Sequence, residues 1–196
     1  MMLSALRMPG NIEGRLADLQ AMLFREQGLI SARALPPLVP LLWTRTPPEL
    51  AALDPAPLPP LTVTGGPAAG NTGVVLGLSP LGPLEELAAR LGEAAREASA
   101  EGDDAPFALG APAILLAPAT PDHAATSGDD VAPGDQTAPG DQAVSSATAL
   151  SVDAIHGTVI RSFTLVVIEI RVWEGAGPER VVWEEVARRR LRKQRA

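Results

Sequence analysis

Few residues in this chain have side chains suited to chemistry. His156-Gly157-Thr158 is the clearest group. Residues two apart on a strand point to the same face, so an imidazole would stand beside a hydroxyl. Such a pair can move a proton near neutral pH and donate to developing negative charge, and Arg161 follows closely enough to add a cation. Against that stands the plainer reading of His156 as a satisfied or exposed structural histidine, since three residues with one wild card are a weak motif. His123 sits in a polar, repetitive stretch and is assigned no role. With two His and no Cys, neither a zinc site nor a thiolate nucleophile can be assembled from those ligand types. Asp103-Asp104 and Asp129-Asp130 are adjacent acids without metal-ligand spacing and read as solvated loop residues. GGPAAGNTG has the glycines of a phosphate loop without its lysine, and no G-x-S-x-G occurs. No metal and no cofactor are expected.

Composition narrows the setting. The 196 residues are 46% hydrophobic but only 3% aromatic, so Ala, Leu, Val and Pro must build the core. So few aromatic platforms disfavour stacking on single-stranded bases. The N-terminus lacks a basic segment followed by an apolar one, and no apolar run approaches the roughly 18 residues of a spanning helix. A cytoplasmic protein without membrane contact is expected. Net charge is −7, yet Arg188, Arg189, Arg190, Arg192, Lys193 and Arg195 supply six of sixteen basic residues. An acidic body with a basic tail offers a local contact for RNA or an acidic partner. The plainer reading is a solvated final helical turn with cations at its C-terminal end.

The elements that would position these groups follow from periodicity. Residues 2–8 read as a strand ended by Pro9-Gly10. Asn11 is a candidate N-cap for a helix whose stripe is Ile12, Leu16, Leu19 and Leu23, with Gly28 as its stop. Residues 38–43 read as a buried strand, although Pro40 cannot donate a ladder hydrogen bond. A bulge or an edge position would reconcile it. Residues 48–53 can hold one helical turn. Residues 61–64 and 72–78 form a hairpin around the turn cluster GGPAAGN. Pro83 opens a second helix with the stripe Leu84, Leu87, Leu91 and Ala95, ending near Gly102-Asp103-Asp104. Residues 106–117 follow as a strand region. Residues 118–150 carry the repeat APGDQ and little aliphatic bulk, the composition of a disordered insertion. Strands then follow at 151–160 and 162–174, where Val166, Ile168, Ile170 and Val172 share one face opposite a mostly amphipathic one. Residues 179–191 pair back as a hairpin, with Trp173 and Trp183 as a possible cross-strand pair.

That order of elements resembles the two-histidine phosphoesterase superfamily, which includes 2'-5' RNA ligase-like and cyclic phosphodiesterase proteins. The resemblance rests on MLSALRMPGNIEGRLADLQAML, on PLVPLL (37–42) and PAILLA (112–117), and on the closing FTLVVIEIRVWEGAGPERVVWEEV. It spans most of the chain outside 118–150. It implies an α+β fold of two lobes facing across a central cleft, each an antiparallel sheet with a helix packed on it. The single domain would comprise 1–117 and 151–196. Each lobe of the family offers one H-x-T motif, P-H-I-T-L-like. Here Leu38 and Pro40 occupy the first His and Thr positions, and Ala113 and Leu115 the second. Leu, Pro, Ala and Leu supply neither a proton carrier nor a donor, so the resemblance implies the fold and argues against the activity.

Three functional readings follow. The first is a catalytically inactive member of that fold acting in binding or scaffolding. The second is an active RNA cyclic phosphodiesterase or 2'-5' RNA ligase with residues relocated around His156 and Thr158. The third is an interaction module that uses the basic tail.

Overall fold

The computed structural model of the protein describes residues 1–51, 53, 57–70, 73–98, 107–108, 111–118, 155–172 and 181–191. In chain order these hold β1 (Met2–Arg7), α1 (Gly10–Gln27), a 3₁₀ turn (Ile30–Arg33), β2 (Val39–Thr44), β3 (Leu61–Gly70), β4 (Gly73–Ser79), α2 (Gly82–Ala98), β5 (Phe107–Ala108), β6 (Ile114–Pro118), β7 (Val159–Ile160), β8 (Thr164–Val172) and β9 (Val181–Arg190). The class is α+β, as expected. One antiparallel sheet has the order β5-β2-β1-β8-β9 and the other β6-β4-β3-β7. Apart from Pro118, the expected insertion lies outside the described residues. So do His123, Trp173, Arg192, Lys193, Arg195 and the expected end of the second helix at Gly102–Asp104.

Both helices bury the stripes that their spacing predicts: Ile12, Leu16, Leu19 and Leu23 in α1, and Leu84, Leu87, Leu91 and Ala95 in α2. Asn11 is not the cap of α1. The helix starts at Gly10 with Pro9 at the cap position, two residues earlier, and the Pro9 carbonyl accepts the Ile12 and Glu13 N–H groups, each at 2.9 Å. Proline fixes the φ that an entering chain needs and has no N–H of its own to satisfy. At the other end Gly28 takes φ +66°, and the Gly28 and Leu29 amides close on the Phe24 and Leu23 carbonyls at 3.1 and 3.3 Å. This is a left-handed cap that a β-carbon would strain.

The helices pack crosswise. Helix α1 follows a strand of the five-stranded sheet but lies against β6 of the other, and α2 follows β4 but lies against β2. Each sheet therefore carries a helix contributed by the other half of the fold. One large core joins them, from Leu6, Leu16 and Leu165 through Val39 and Leu42 to Leu61, Leu76, Leu91 and Leu116. Among the described residues no helix is long and apolar enough to cross a membrane.

Several elements differ from the sequence reading for identifiable reasons. GGPAAG is not a turn but the second half of β3. Its pairing with β4 jumps between Thr64 and Ala68, and Gly65 sits at φ +79° in the gap. Three residues there stand against one, a bulge that also excuses Pro67 from the ladder. Residues 106–117 are not one strand region. Phe107–Ala108 joins β2, and Ile114–Pro118 joins β4 in the other sheet. Residues 151–154 of the expected strand 151–160 lie outside the described residues, and among those described Val159–Ile160 is strand, preceded by a turn at Ile155–Gly157. The expected helical turn at 48–53 is a hydrogen-bonded turn at Leu50 and Ala51. β8 is buried on both faces over Leu165–Ile168, so its second face is not amphipathic there. Arg188–Arg190, where a final helical turn is expected to begin, are strand. Trp183 stands opposite Ile170.

Candidate functional site

The two hexapeptides PLVPLL and PAILLA meet at the junction of the sheets. The Leu115 N–H donates to the Leu38 carbonyl at 2.7 Å, an antiparallel bridge between segments that belong to different sheets. Continued in the same register, it sets Pro40 opposite Ala113. Hydrogen-bonded pairs alternate along an antiparallel ladder, so the next such pair would be Pro40 with Ala113, and there Pro40 can accept but not donate. The ladder stops at one bridge.

Both segments carry a bulge at the same place. In the β1–β2 pairing, Ser4 faces Leu42 and Ala5 faces Pro40, leaving Leu41 unpaired. In the β4–β6 pairing, Val74 faces Ala117 and Val75 faces Leu115, leaving Leu116 unpaired. Each is the fifth residue of its hexapeptide. The extra residue lets two consecutive side chains enter the main core, Leu41 with Leu42 and Leu116 with Ala117. The bulge also accommodates Pro40: on the β5 side the described pairs reach only Leu42 and Trp43.

The opposite face of these strands builds a second, smaller cluster: Leu3 and Ala5 from β1, Val166, Ile168 and Ile170 from β8, with Leu35, Leu38 and Leu115. Val166, Ile168 and Ile170 lie on one face as their spacing requires. Leu38 is fully buried and Leu115 nearly so. Pro40 is buried and Ala113 half-buried. On the same face, Glu185 stands opposite Ile168 in the β8–β9 register and borders the cluster. The cluster itself is hydrocarbon, and its own side chains can neither accept a proton nor steady an oxyanion.

The nearest charge on that face of β1 is Arg7, two residues beyond Ala5. Its guanidinium is held by Glu13 from α1 and, at 3.4 Å, by Glu185 from β9. Burial works against its charge, but the bonds to Glu13 and then Glu185 outweigh it and keep the group above its ordinary pKa. Two carboxylates already occupy this cation, which leaves little of it for an anionic ligand.

Beside the cluster, and sharing Leu35 with it, opens a groove of about 590 Å³. Phe24, Arg25, Arg33, Pro36, Pro37 and Trp183 line it. Arg33 lies over the Phe24 ring at 4.9 Å. Its floor is tied down by Gln20, whose buried amide donates to the Leu116 carbonyl at 2.7 Å and the Leu35 carbonyl at 3.1 Å. One side chain thus links α1, the segment before β2, and β6. Sequence reading missed Gln20 and the groove. The available signal was a polar residue beside the stripe positions Leu16, Leu19 and Leu23.

His156 and Thr158 are not brought to this place. They precede β7, an edge of the four-stranded sheet, whereas Leu115 lies on β6 at the opposite edge. His156 is exposed, and its Nδ1 accepts the Gly65 N–H at 3.0 Å. Thr158 uses its main chain, donating to Ile155 and accepting from Val63, each at 3.0 Å. Arg161 is exposed. Two arginines of the described part of the basic tail are also engaged. Arg189 donates to the carbonyls of Leu50, Ala51 and Leu53, which pins the proline-rich connection after β2. Arg188 pairs with Glu185 at 2.5 Å. Among the described residues no group of three or more His, Asp or Glu is placed to hold a metal ion.

No family model matches the chain, and no curated protein matches it. Among solved structures, a crystal structure of a phosphoesterase is similar over 97% of this chain and 97% of its own, with 17% sequence identity and a TM-score of 0.48.

Proposed function

We propose that this chain is a cytoplasmic, non-catalytic relative of the two-histidine phosphoesterases, a single domain of 1–117 and 151–196 interrupted by 118–150, which acts by binding. The observation that carries the reading is the placement of Leu38, Pro40, Ala113 and Leu115. Two similar hexapeptides run antiparallel at the sheet junction, with bulges at equivalent positions, and turn aliphatic groups toward a buried hydrocarbon cluster. A catalytic pair there would need imidazoles and hydroxyls. The groove next to that cluster has what a binding role needs: two guanidinium groups for an anionic moiety, one of them stacked on Phe24, and Trp183 for a flat one.

The test is an assay of the purified chain against 2',3'-cyclic and 2'-5'-linked nucleotides. No turnover above a buffer blank is expected. Robust turnover that disappears in His156→Ala would overturn the proposal in favour of a relocated site. For binding, titration with a 2',3'-cyclic nucleotide should quench tryptophan emission in the parent and lose most of that signal in Trp183→Phe with Arg33→Ala.

A further inference from the structure

We infer that the groove beside α1 takes an extended, proline-bearing peptide with acidic residues at one end. The inference rests on the reading of that groove as the binding site and adds the class of its partner. Glu13, Ala17, Gln20, Ala21 and Phe24 all line the groove. Their spacing of i, i+4, i+7, i+8 and i+11 is one continuous stripe of a helix, so the groove runs along α1. From Glu13 to Phe24 the stripe is about 16 Å long, at about 1.5 Å per residue. A polyproline helix rises about 3.1 Å per residue, so about five residues of peptide cover it. Ala17 and Ala21 keep the middle of this stripe low. A single nucleotide held by a guanidinium and a ring at the Phe24 end leaves the Glu13 half unused.

The walls decide how such a ligand is held. Pro36 and Pro37 have no N–H to offer, and the Leu35 carbonyl before them is taken by Gln20. The main chain of α1 spends its hydrogen bonds inside the helix. A peptide that joins by strand-type hydrogen bonds finds no ladder on either of these walls. A polyproline helix needs none, because it docks by packing on an aromatic surface. Trp183, 38% exposed, supplies that surface.

Charge sets where the acids lie. Arg25 and Arg33 are exposed, and among the described residues neither makes an ion pair within 4 Å. In a chain of net charge −7, two cations without a carboxylate are unusual company. Arg25 adjoins Phe24 in the chain, and the Arg33 guanidinium stacks on the Phe24 ring, so both stand at that end. At the other end Glu13 is already paired with Arg7. Acidic residues of the ligand are therefore drawn to the Phe24 end and gain nothing beside Glu13.

The experiment uses the full chain and three capped, fluorescein-labelled peptides, DDPPAPP, KKPPAPP and DDGSAGS, read by anisotropy. DDPPAPP should bind saturably. The other two should bind about tenfold more weakly or worse, one from reversed charge and one from lost preorganisation. Arg25→Glu and Arg33→Glu should each weaken DDPPAPP about tenfold. Ala17 is exposed on α1, so Ala17→Phe fills the trough without disturbing the core. It should weaken DDPPAPP about tenfold and leave the affinity of a 2',3'-cyclic nucleotide at the Phe24 end unchanged. Absence of DDPPAPP binding overturns the inference, as does equal binding of the three peptides or an Ala17→Phe variant that binds DDPPAPP like the parent. If the cyclic nucleotide still quenches tryptophan emission in that case, the binding reading stands without the peptide. If it does not, both fall.

Discussion

The carbonyl of Leu38 and the amide of Leu115 form the one described strand-type bridge between the two sheets, at 2.7 Å, and both side chains are buried in the same aliphatic cluster. In the sequence these two segments are two separate strand-like stretches. In the fold they form a joint, and the following predictions concern how that joint and its surroundings are held.

Leu38→Ala should destabilise the protein by about 2–5 kcal/mol, the range for emptying a fully buried leucine site. Leu115→Ala should cost somewhat less, because that side chain retains slight exposure. The two side chains share one cluster, so the double variant should lose less than the sum of the singles. Urea midpoints of the four proteins measure this, and strict additivity would mean that the cluster is not shared.

Gln20→Glu replaces a two-bond amide donor with a carboxylate facing the Leu35 and Leu116 carbonyls. At neutral pH it should cost about 2–5 kcal/mol, from two lost bonds and a buried charge without a donor. Burial and the two carbonyls favour the protonated acid, so the folded variant holds its carboxyl above the usual range. Its stability relative to the parent should therefore rise as pH falls and be lost again as pH rises. Melting temperatures of both proteins at pH 4.5 and 7.5 read the effect, and a pH-independent difference would exclude it.

Gly77→Ala should be poorly tolerated even though Gly77 has an ordinary negative-φ backbone. A β-carbon there would lie 2.6 Å from the Thr64 carbonyl oxygen and 2.7 Å from its hydroxyl, at the edge of the β3 bulge. The closest atom is main chain and cannot swing aside, so a loss of about 1–3 kcal/mol is expected. Thr64→Ala removes only the hydroxyl and should not rescue it. Full rescue would show that the side chain alone causes the conflict.

Arg171 donates twice to Glu169, at 2.6 and 3.0 Å, and these hydrogen bonds hold the Glu169 carboxyl below its ordinary range. A carboxyl depressed on folding adds stability above its unfolded pKa, roughly 4.3, and loses it as pH falls through the lower folded value. The pair is solvent-facing, so the contribution is small. Glu169→Gln should flatten the acid limb of a melting-temperature profile below about pH 4.5 and leave the neutral plateau nearly unchanged. A profile that matches the parent between pH 3 and 5 would rule out this pair as a source of acid sensitivity.

The sequence by itself determined what is decided within one or two turns of chain. The stripe Ile12, Leu16, Leu19 and Leu23 forces a helix with one buried face, Gly28 accepts the left-handed cap, and Val166, Ile168 and Ile170 can share a face only on a strand. The absence of imidazole and hydroxyl from PLVPLL and PAILLA was equally plain, because composition needs no fold to read it. Tertiary structure decided what depends on partners distant in sequence. Local preference marked GGPAAG as a turn, but pairing with β4 drew it into a strand, with Gly65 and Pro67 absorbed in a bulge. Phe107–Ala108 and Ile114–Pro118 read as one segment until each found a different neighbour. The His156–Thr158 spacing gave no hint that its edge lies opposite that of Leu115. Nor did the arginine run hint that Arg189 would spend its donors on the carbonyls of residues 50–53. Periodicity reports which side of an element is buried. Which element covers that side is set by long-range pairing, where burial and main-chain hydrogen bonds must together outweigh the entropy of bringing distant segments into contact.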